Sequence, residues 1–255
     1  YYTVTGWSGS KGSATQFNKD DYYWTMGKCL EVEDVLKKHC ASMDKYDKDK
    51  KIALLLDEWG TWWDEEPGTI KGHLYQQNTL RDAFVASLSL DVFHKYTDRL
   101  KMANIAQMVN VLQSVILTDG ERMIKTPTWF VFYLYQAHQD AELLDSTLET
   151  AMVGPEGHQA PNMTESVSMG KDGKMHITLT NESVTEDYPI DVILDSGKAV
   201  DVSGMILTGE MHEHNTFDNP DQVKCTSFDD VKLTDDGLKL TLPKCSVLHL
   251  TVTVE

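Results

Sequence analysis

The sequence predicts a mixed architecture, a parallel α/β portion followed by an all-β portion, with the change near residue 142. Three observations carry this. Ile52-Ala53-Leu54-Leu55-Leu56 is an unbroken apolar run, the pattern of a strand buried on both faces of a helix-covered parallel sheet. A short aromatic and β-branched run and a long helical stretch precede it, giving strand, loop, helix, loop, strand, the repeating unit of an α/β fold. From about Leu143, short alternating segments separated by proline and glycine take over, as in an antiparallel sandwich.

Tyr1-Tyr2-Thr3-Val4-Thr5 suits the end of a first strand. The glycine- and serine-rich stretch Gly6 to Gly12 is a loop. Asp20 to Met43 reads as one helix, because Met26, Leu30, Leu36, Cys40 and Met43 recur at helical spacing. Lys45 to Lys51 is a charged, solvated loop. The apolar strand then ends on Asp57-Glu58-Trp59-Gly60. In parallel α/β barrels the chemistry sits at the carboxyl ends of strands, so Glu58 stands where a catalytic carboxylate would. The plain alternative is a glutamate that starts a surface loop.

Trp59 to Gly68 is a loop marked by proline and glycine. Its aromatics beside carboxylates suit a carbohydrate site, where ring faces pack on sugars. Leu80 to Tyr96 is a second helix with Leu80, Phe84, Leu88, Val92 and Tyr96 on one stripe. Arg81 and Asp82 read as an exposed surface pair. Asp98 to Ala106 is a mixed strand with Gln107 at its carboxyl end, although this glutamine also fits an ordinary helix start. Pro127 opens a helix through Tyr135, and His138 reads as a cap or surface residue. This part closes as residues 1–142.

In residues 143–255, Met175 to Thr180 and Leu248 to Val254 alternate strictly. Ile190 to Leu194, Met205 to Leu207 and Leu238 to Leu242 are further strands. Glu210, His212, Glu213 and His214 form a polar loop without the regular spacing of a metal site, so no metal is expected.

A net charge of -17 disfavours nucleic acid as a partner. No run of 18 apolar residues exists, so no membrane span is expected. No signal peptide is visible, and the compartment stays open between cytoplasmic and secreted or periplasmic. Four cysteines do not make a disulfide scaffold. Cys29 and Cys40 share a helical stretch and cannot bridge, whereas Cys225 and Cys245 pair only if two strands bring them together.

Asp57-Glu58-Trp59-Gly60-Thr61-Trp62, Leu74-Tyr75-Gln76-Gln77-Asn78-Thr79-Leu80-Arg81-Asp82-Ala83 and Met102-Ala103-Asn104-Ile105-Ala106-Gln107-Met108-Val109-Asn110 together resemble the alpha-L-arabinofuranosidases of glycoside hydrolase family 51. The likeness runs in order through nearly the whole chain. It implies a retaining glycosidase built from a (β/α)8 TIM barrel and a β-sandwich. Residues 1–142 would be the C-terminal portion of the barrel and 143–255 the antiparallel β-sandwich. It implies Glu58 as nucleophile, Tyr2 as the tyrosine that hydrogen-bonds it, Trp62 as the sugar-stacking ring and Gln107 as a sugar-binding amide. Tyr2 packed against the barrel wall remains the other reading. The aromatic run Trp129 to Tyr133 departs from the family's pattern, which implies a difference in packing or in a subunit contact.

A retaining mechanism needs a second carboxylate as acid/base. The resemblance places it in an Asn-Glu pair on an earlier strand, before the equivalent of Tyr1. Asp57, Glu65 and Glu66 are poor substitutes, so no acid/base residue is assigned. Only three barrel strands are recognisable, and three cannot close a barrel. The expected partner is therefore the N-terminal half of the same enzyme, whether as a separate chain, the other piece of a nicked or naturally split protein, or sequence beyond this portion. The expected substrate is an arabinose-containing polysaccharide or oligosaccharide, arabinoxylan or arabinan, the expected assembly a homo-oligomer, and no cofactor is required. A related endoglucanase or xylosidase, or a noncatalytic carbohydrate-binding protein, are the alternatives.

Overall fold

The computed structural model describes residues 1–4 and 8–255. The loop expected from Gly6 to Gly12 is described from Ser8, and Thr5, Gly6 and Trp7 lie outside the described residues.

The first part contains β1 (Tyr2–Thr3), α1 (Lys19–Leu30), α2 (Val32–Asp44), β2 (Leu54–Thr61), α3 (Leu80–His94) and β3 (Leu100–Ile105). The three strands form one parallel sheet in the order β1-β2-β3. The described residues form no closed barrel. A hairpin of β4 (Ile116–Asp119) and β5 (Arg122–Lys125) follows, then α4 (Pro127–Tyr135), with Pro127 in its first turn.

Three expectations need correction here. The helix from Asp20 to Met43 is two helices, broken at Glu31, whose N–H turns back to Cys29 O. Buried Cys29, Val32 and Leu36 keep their spacing across the break, which is why the sequence reads as continuous. The run Ile52 to Leu56 is not buried on both faces: Ile52 and Leu55 are 62% and 48% exposed. Leu54 and Leu56 pack against the helical core, and among the described residues the other side of the strand is exposed at Leu55. The strand also starts later and runs further, to Thr61, because β1 pairs with Gly60 and Thr61. Glu58 therefore lies within β2, not at its end.

α3 is the centre of the molecule. It packs on α1, α2, α4 and β2, and also on strands of the second part. Arg81 and Asp82, expected at the surface, are buried with only 2% and 0% exposure. The sequence stripe is one-sided, whereas helices and strands pack on α3 from several directions, and Arg81 is enclosed by the rings of Phe17 and Trp63.

The second part comprises β6 (Glu142–Leu143), β7 (Met152–Val153), β8 (Ala160–Pro161), β9 (Met163–Met169), β10 (Met175–Asn181), β11 (Tyr188–Ile193), β12 (Ala199–Thr208), β13 (Thr226–Phe228), β14 (Val231–Leu233), β15 (Gly237–Leu242) and β16 (Ser246–Val254). One antiparallel sheet runs β13-β12-β16-β10-β9-β6 and a second runs β11-β15-β14. Ile177, Leu179, Leu248 and Leu250 of the first meet Ile190, Leu238 and Leu240 of the second in a shared core, the interdigitated interior of a sandwich.

The other face of β9 and β10 is polar yet buried. Asn162, Thr164, Ser166 and Ser168 alternate along one strand, and His176, Thr178, Thr180 and Glu182 along the other. Helix α3 and the helical turn Gln136–His138 after α4 cover this face. Thr164 Oγ1 donates to Asp91 at 2.6 Å, and Ser166 shares a hydrogen bond with His94. His138, just past α4, is not a cap or surface residue: it shares hydrogen bonds with Ser168 at 2.7 Å and Thr178 at 2.6 Å. Burial lowers His94 and His249 to about 4 and His138 to about 3. All four cysteines are free, Cys225 and Cys245 included. No described helix is long and apolar enough to cross a membrane.

Candidate active site

The geometry around Glu58 begins with a break in register. Leu56 pairs with Ala103 and Trp59 with Ile105, so Asp57 and Glu58 together face Asn104 alone. Two residues against one is a β-bulge, which bends a strand and re-aims a side chain. Both carboxylates are exposed, while Trp59 next to them is buried and packs edge-on to Phe93 at 5.2 Å between ring centroids. The indole anchors the strand beneath the bulge.

β1 brings Tyr2 to this place. The nitrogen of Tyr1 donates to Glu58 O at 2.6 Å and Gly60 N to Tyr1 O at 3.3 Å. The Tyr2 phenol lies beside the Glu58 side chain, and its pKa is raised by burial first and then by that carboxylate as acceptor and as charge. The phenol therefore keeps its proton and has the carboxylate as a ready acceptor. Trp62 meets the Tyr2 ring edge-on, with centroids 5.1 Å apart. Lys11 Nζ stands 5.3 Å from the Trp62 ring centroid, a cation–π contact. The loop bearing Lys11 is tied down by Asp64, which accepts from Lys11 N at 2.9 Å and from the Ser10 hydroxyl.

Gln107 follows β3 in the left-handed region, with φ of 65°, and its side chain is exposed. The preceding Ala106 N donates to Trp59 O at 2.6 Å, which puts Gln107 at the same end of the sheet. Among the described residues no hydrogen bond or ring contact joins it to Tyr2, Glu58 or Trp62. The structure thus brings three of the four sequence-predicted residues into contact and sets the fourth nearby.

The chain leaving β2 rests on a buried polar scaffold. Asp82 Oδ1 accepts from the Thr61 hydroxyl at 2.6 Å and from Trp63 Nε1 at 2.8 Å, while Oδ2 accepts from Thr79 N at 2.8 Å. Gln113 Oε1 accepts from Thr61 N and Gln76 Oε1 from Trp63 N, both at 2.8 Å. Gly60 has φ of 144°, and a Cβ there would stand 3.3 Å from Gln113 Oε1, so the close approach favours glycine. The Arg81 guanidinium is stacked between Phe17 at 3.7 Å and Trp63 at 3.6 Å and donates to Ser13 O at 3.0 Å. Burial lowers its pKa to about 10, with Asp82 and Asp21 opposing. Lys11, Arg81 and Asp82 escaped the sequence reading as site residues. For Asp82 a signal was present: Thr79 and Asp82 have capping-box spacing before an apolar run.

Glu65 and Glu66 do not serve as partners for Glu58. Glu65 Oε1 accepts from Gly72 N at 2.7 Å and Leu74 N at 2.8 Å, and Glu66 Oε1 from Gln77 N at 3.1 Å. Both are staples of their own loop. In the second part, His212 binds Phe17 O and Glu213 Oε2 accepts from Glu210 N, so that polar loop closes on itself and on the first part. Asn215 is buried and donates to Lys125 O and Val223 O, each at 2.9 Å.

Comparison with known proteins adds to this geometry. The family described as alpha-L-arabinofuranosidase C-terminal domain matches residues 57–246. An intracellular exo-alpha-L-arabinofuranosidase of Bacteroides ovatus is 64% identical over 253 residues, 98% of this chain and 49% of that protein. A probable alpha-L-arabinofuranosidase C of Aspergillus flavus is 28% identical over 62% of this chain and 32% of its own length. Among solved structures, the GH51 arabinofuranosidase from Xanthomonas axonopodis pv. citri superposes with a TM-score of 0.96 at 40% identity, covering 99% of this chain and 52% of that one. The alpha-L-arabinofuranosidase from Thermotoga maritima shares the fold, with a TM-score of 0.78 at 23% identity over 92% of this chain and 50% of that one. The chain spans about half the length of the Bacteroides relative and of these two structures.

Proposed function

The chain belongs to the alpha-L-arabinofuranosidases of glycoside hydrolase family 51, and from that premise we propose that it supplies the nucleophile-bearing part of a retaining glycosidase. The enzyme releases terminal alpha-L-arabinofuranosyl residues from arabinoxylan, arabinan or their oligosaccharides. Glu58 attacks the anomeric carbon and forms a glycosyl-enzyme ester, which water then hydrolyses. The observation that carries this reading is the Tyr2 phenol set beside a carboxylate on a bulge. A donor at that point aims the carboxylate. Trp62, edge-on to Tyr2, offers a ring to the sugar, and Gln107 an amide that both donates and accepts.

The acid/base carboxylate comes, in this reading, from the part of the protein that corresponds to the remaining half of its relatives. In the native assembly it stands about 5–5.5 Å from Glu58. Residues 1–142 are the corresponding portion of the catalytic barrel and 143–255 the sandwich. In favour of a division close to this point, the last helical turn ends at His138, and β6, which begins at Glu142, pairs with β9 of the sandwich. The native protein is expected to be a homo-oligomer.

The test is covalent trapping. A mechanism-based furanoside inhibitor applied to the native protein should leave its glycosyl label on the peptide containing Glu58. Glu58→Ala should abolish turnover of an aryl alpha-L-arabinofuranoside while the protein stays folded. A label on another carboxylate removes Glu58 from the role, and sugar binding with no turnover makes the protein a binder.

A further inference from the structure

The buried polar face of β9 and β10 is hydrogen-bonded along most of its length, but one end is not. Glu182 is fully buried, and neither carboxylate oxygen has a hydrogen-bond partner among the described residues. Asn162 Oδ1 and Thr180 Oγ1 share that condition. Thr180 lies close to the Tyr135 phenol without reaching hydrogen-bond geometry. These residues are neighbours by register. Glu182 N donates to Asn162 O at 3.0 Å, which sets the two residues opposite each other. Thr180 precedes Glu182 by two residues, and the Glu182 N to Asn162 O bond carries the register of β9 and β10 one residue past the end of β10. Cβ atoms of directly opposed residues are about 4.5–5.5 Å apart, within reach of one shared small occupant.

We propose that Glu182, Asn162 and Thr180 hold a monovalent alkali cation, Na⁺ or K⁺, between the sandwich and the helical layer. The unpaired atoms are all oxygens, with neither nitrogen nor sulfur among them, the donor set of a hard cation. They carry one formal negative charge. The nearest other carboxylate, Asp91, already accepts from Tyr135 at 2.7 Å and Thr164 at 2.6 Å. A divalent ion such as Ca²⁺ takes about 6–8 oxygens, usually with several carboxylates, so a single charge matches a monovalent ion better. Because Glu182 is completely enclosed, a lysine or arginine from another polypeptide cannot reach it. An ion of atomic size can. Burial, with Asp91 adding, pushes the carboxyl well above its ordinary range in the protein alone. A buried charge is tolerated when paired or bound to a metal, and the cation would supply that pairing. The role of the ion is structural.

The experiment is a thermal-unfolding series on the native protein in NaCl, KCl and choline chloride at equal ionic strength. The bound ion should raise the Tm over choline by about 3–6 °C at saturating concentration. A crystal soaked in RbCl or TlCl should show an anomalous peak within about 3 Å of the Glu182 carboxylate, near ordinary cation–oxygen distances. Glu182→Gln should erase the cation dependence. Should that variant fail to fold, Thr180→Val should weaken the dependence. Identical Tm values in the three salts, or no peak at Glu182, would overturn the proposal and make Glu182 a neutral buried acid. A cation effect of full size in both variants would place the ion elsewhere and overturn it equally.

Discussion

The Trp63 indole N–H donates to Asp82 Oδ1 at 2.8 Å, and this bond ties the loop after β2 to the first turn of α3. The same carboxylate holds the Thr61 hydroxyl and the Thr79 amide. One buried side chain thus joins the end of the strand that bears Glu58 to the start of the helix at the molecule's centre.

Asp82→Ala leaves all three donors without that acceptor. Each unsatisfied buried donor costs about 1–3 kcal/mol, so the variant should lose roughly 3 kcal/mol or more in urea unfolding of the native protein. Asp82→Asn keeps the shape and should recover part of the loss. Equal stability of wild type and Asp82→Ala would show that the network is slack.

Tyr2→Phe removes the donor to Glu58 and keeps the ring against Trp62. A hydrogen bond to a charged group contributes about 1.5–3 kcal/mol. The expected loss in kcat/KM on an aryl arabinofuranoside is therefore about 10- to 150-fold, most of it in kcat. A change confined to KM would mean that Tyr2 touches the sugar and not the nucleophile.

Trp62→Ala and Gln107→Ala should act mainly on binding. A rise in KM of about tenfold, with kcat within a few-fold of wild type, is the signature of a contact made equally in ground and transition states. Steady-state kinetics on an arabino-oligosaccharide decide it. If neither parameter moves in either variant, these residues do not line the sugar subsite.

Asp91 gives a pH prediction. Burial, with a smaller contribution from Glu165, raises its carboxyl to about 7 against the bonds from Thr164 and Tyr135. Between an unfolded value near 3.8 and that folded value the native state binds the extra proton. The stability from this proton is fully present below about 4 and is lost as pH rises through about 7. Wild type should therefore weaken relative to Asp91→Asn from pH 4 to pH 8, by roughly 4 kcal/mol at most. His94, His138 and His249, which burial lowers, are common to both proteins and largely cancel in the difference. A flat difference across that range would mean that Asp91 is ionised throughout.

Periodicity made much of the architecture legible. β10 and β16 alternate strictly in the sequence and lie where the alternation put them. Alternation does not say what covers the polar side, however. His176, Thr178 and Thr180, the polar positions of that alternation, are buried. Arg81 and Asp82 were misread for the same reason, since local pattern cannot tell solvent from a second polar layer. At the candidate site, the residue types and order were legible around Glu58, but the bulge was not. It is set by the register of β3 against β2, a relation between distant segments. The anchoring of the Lys11 loop by Asp64 is likewise a long-range contact.

The buried polar face of β9 and β10 also limits how this protein can be recombined. An oily interface tolerates sliding and substitution, whereas directional bonds must meet atom for atom. Asp91, His94 and His138 on the helical side answer Thr164, Ser166, Ser168 and Thr178 on the sheet. A chimaera that exchanges the sandwich at residue 142 would separate these sets and strand their donors and acceptors. Grafts that carry α3, α4 and the sandwich as one inherited block keep the matching intact. The workable crossover therefore lies upstream of Leu80, well inside the sequence of the α/β part.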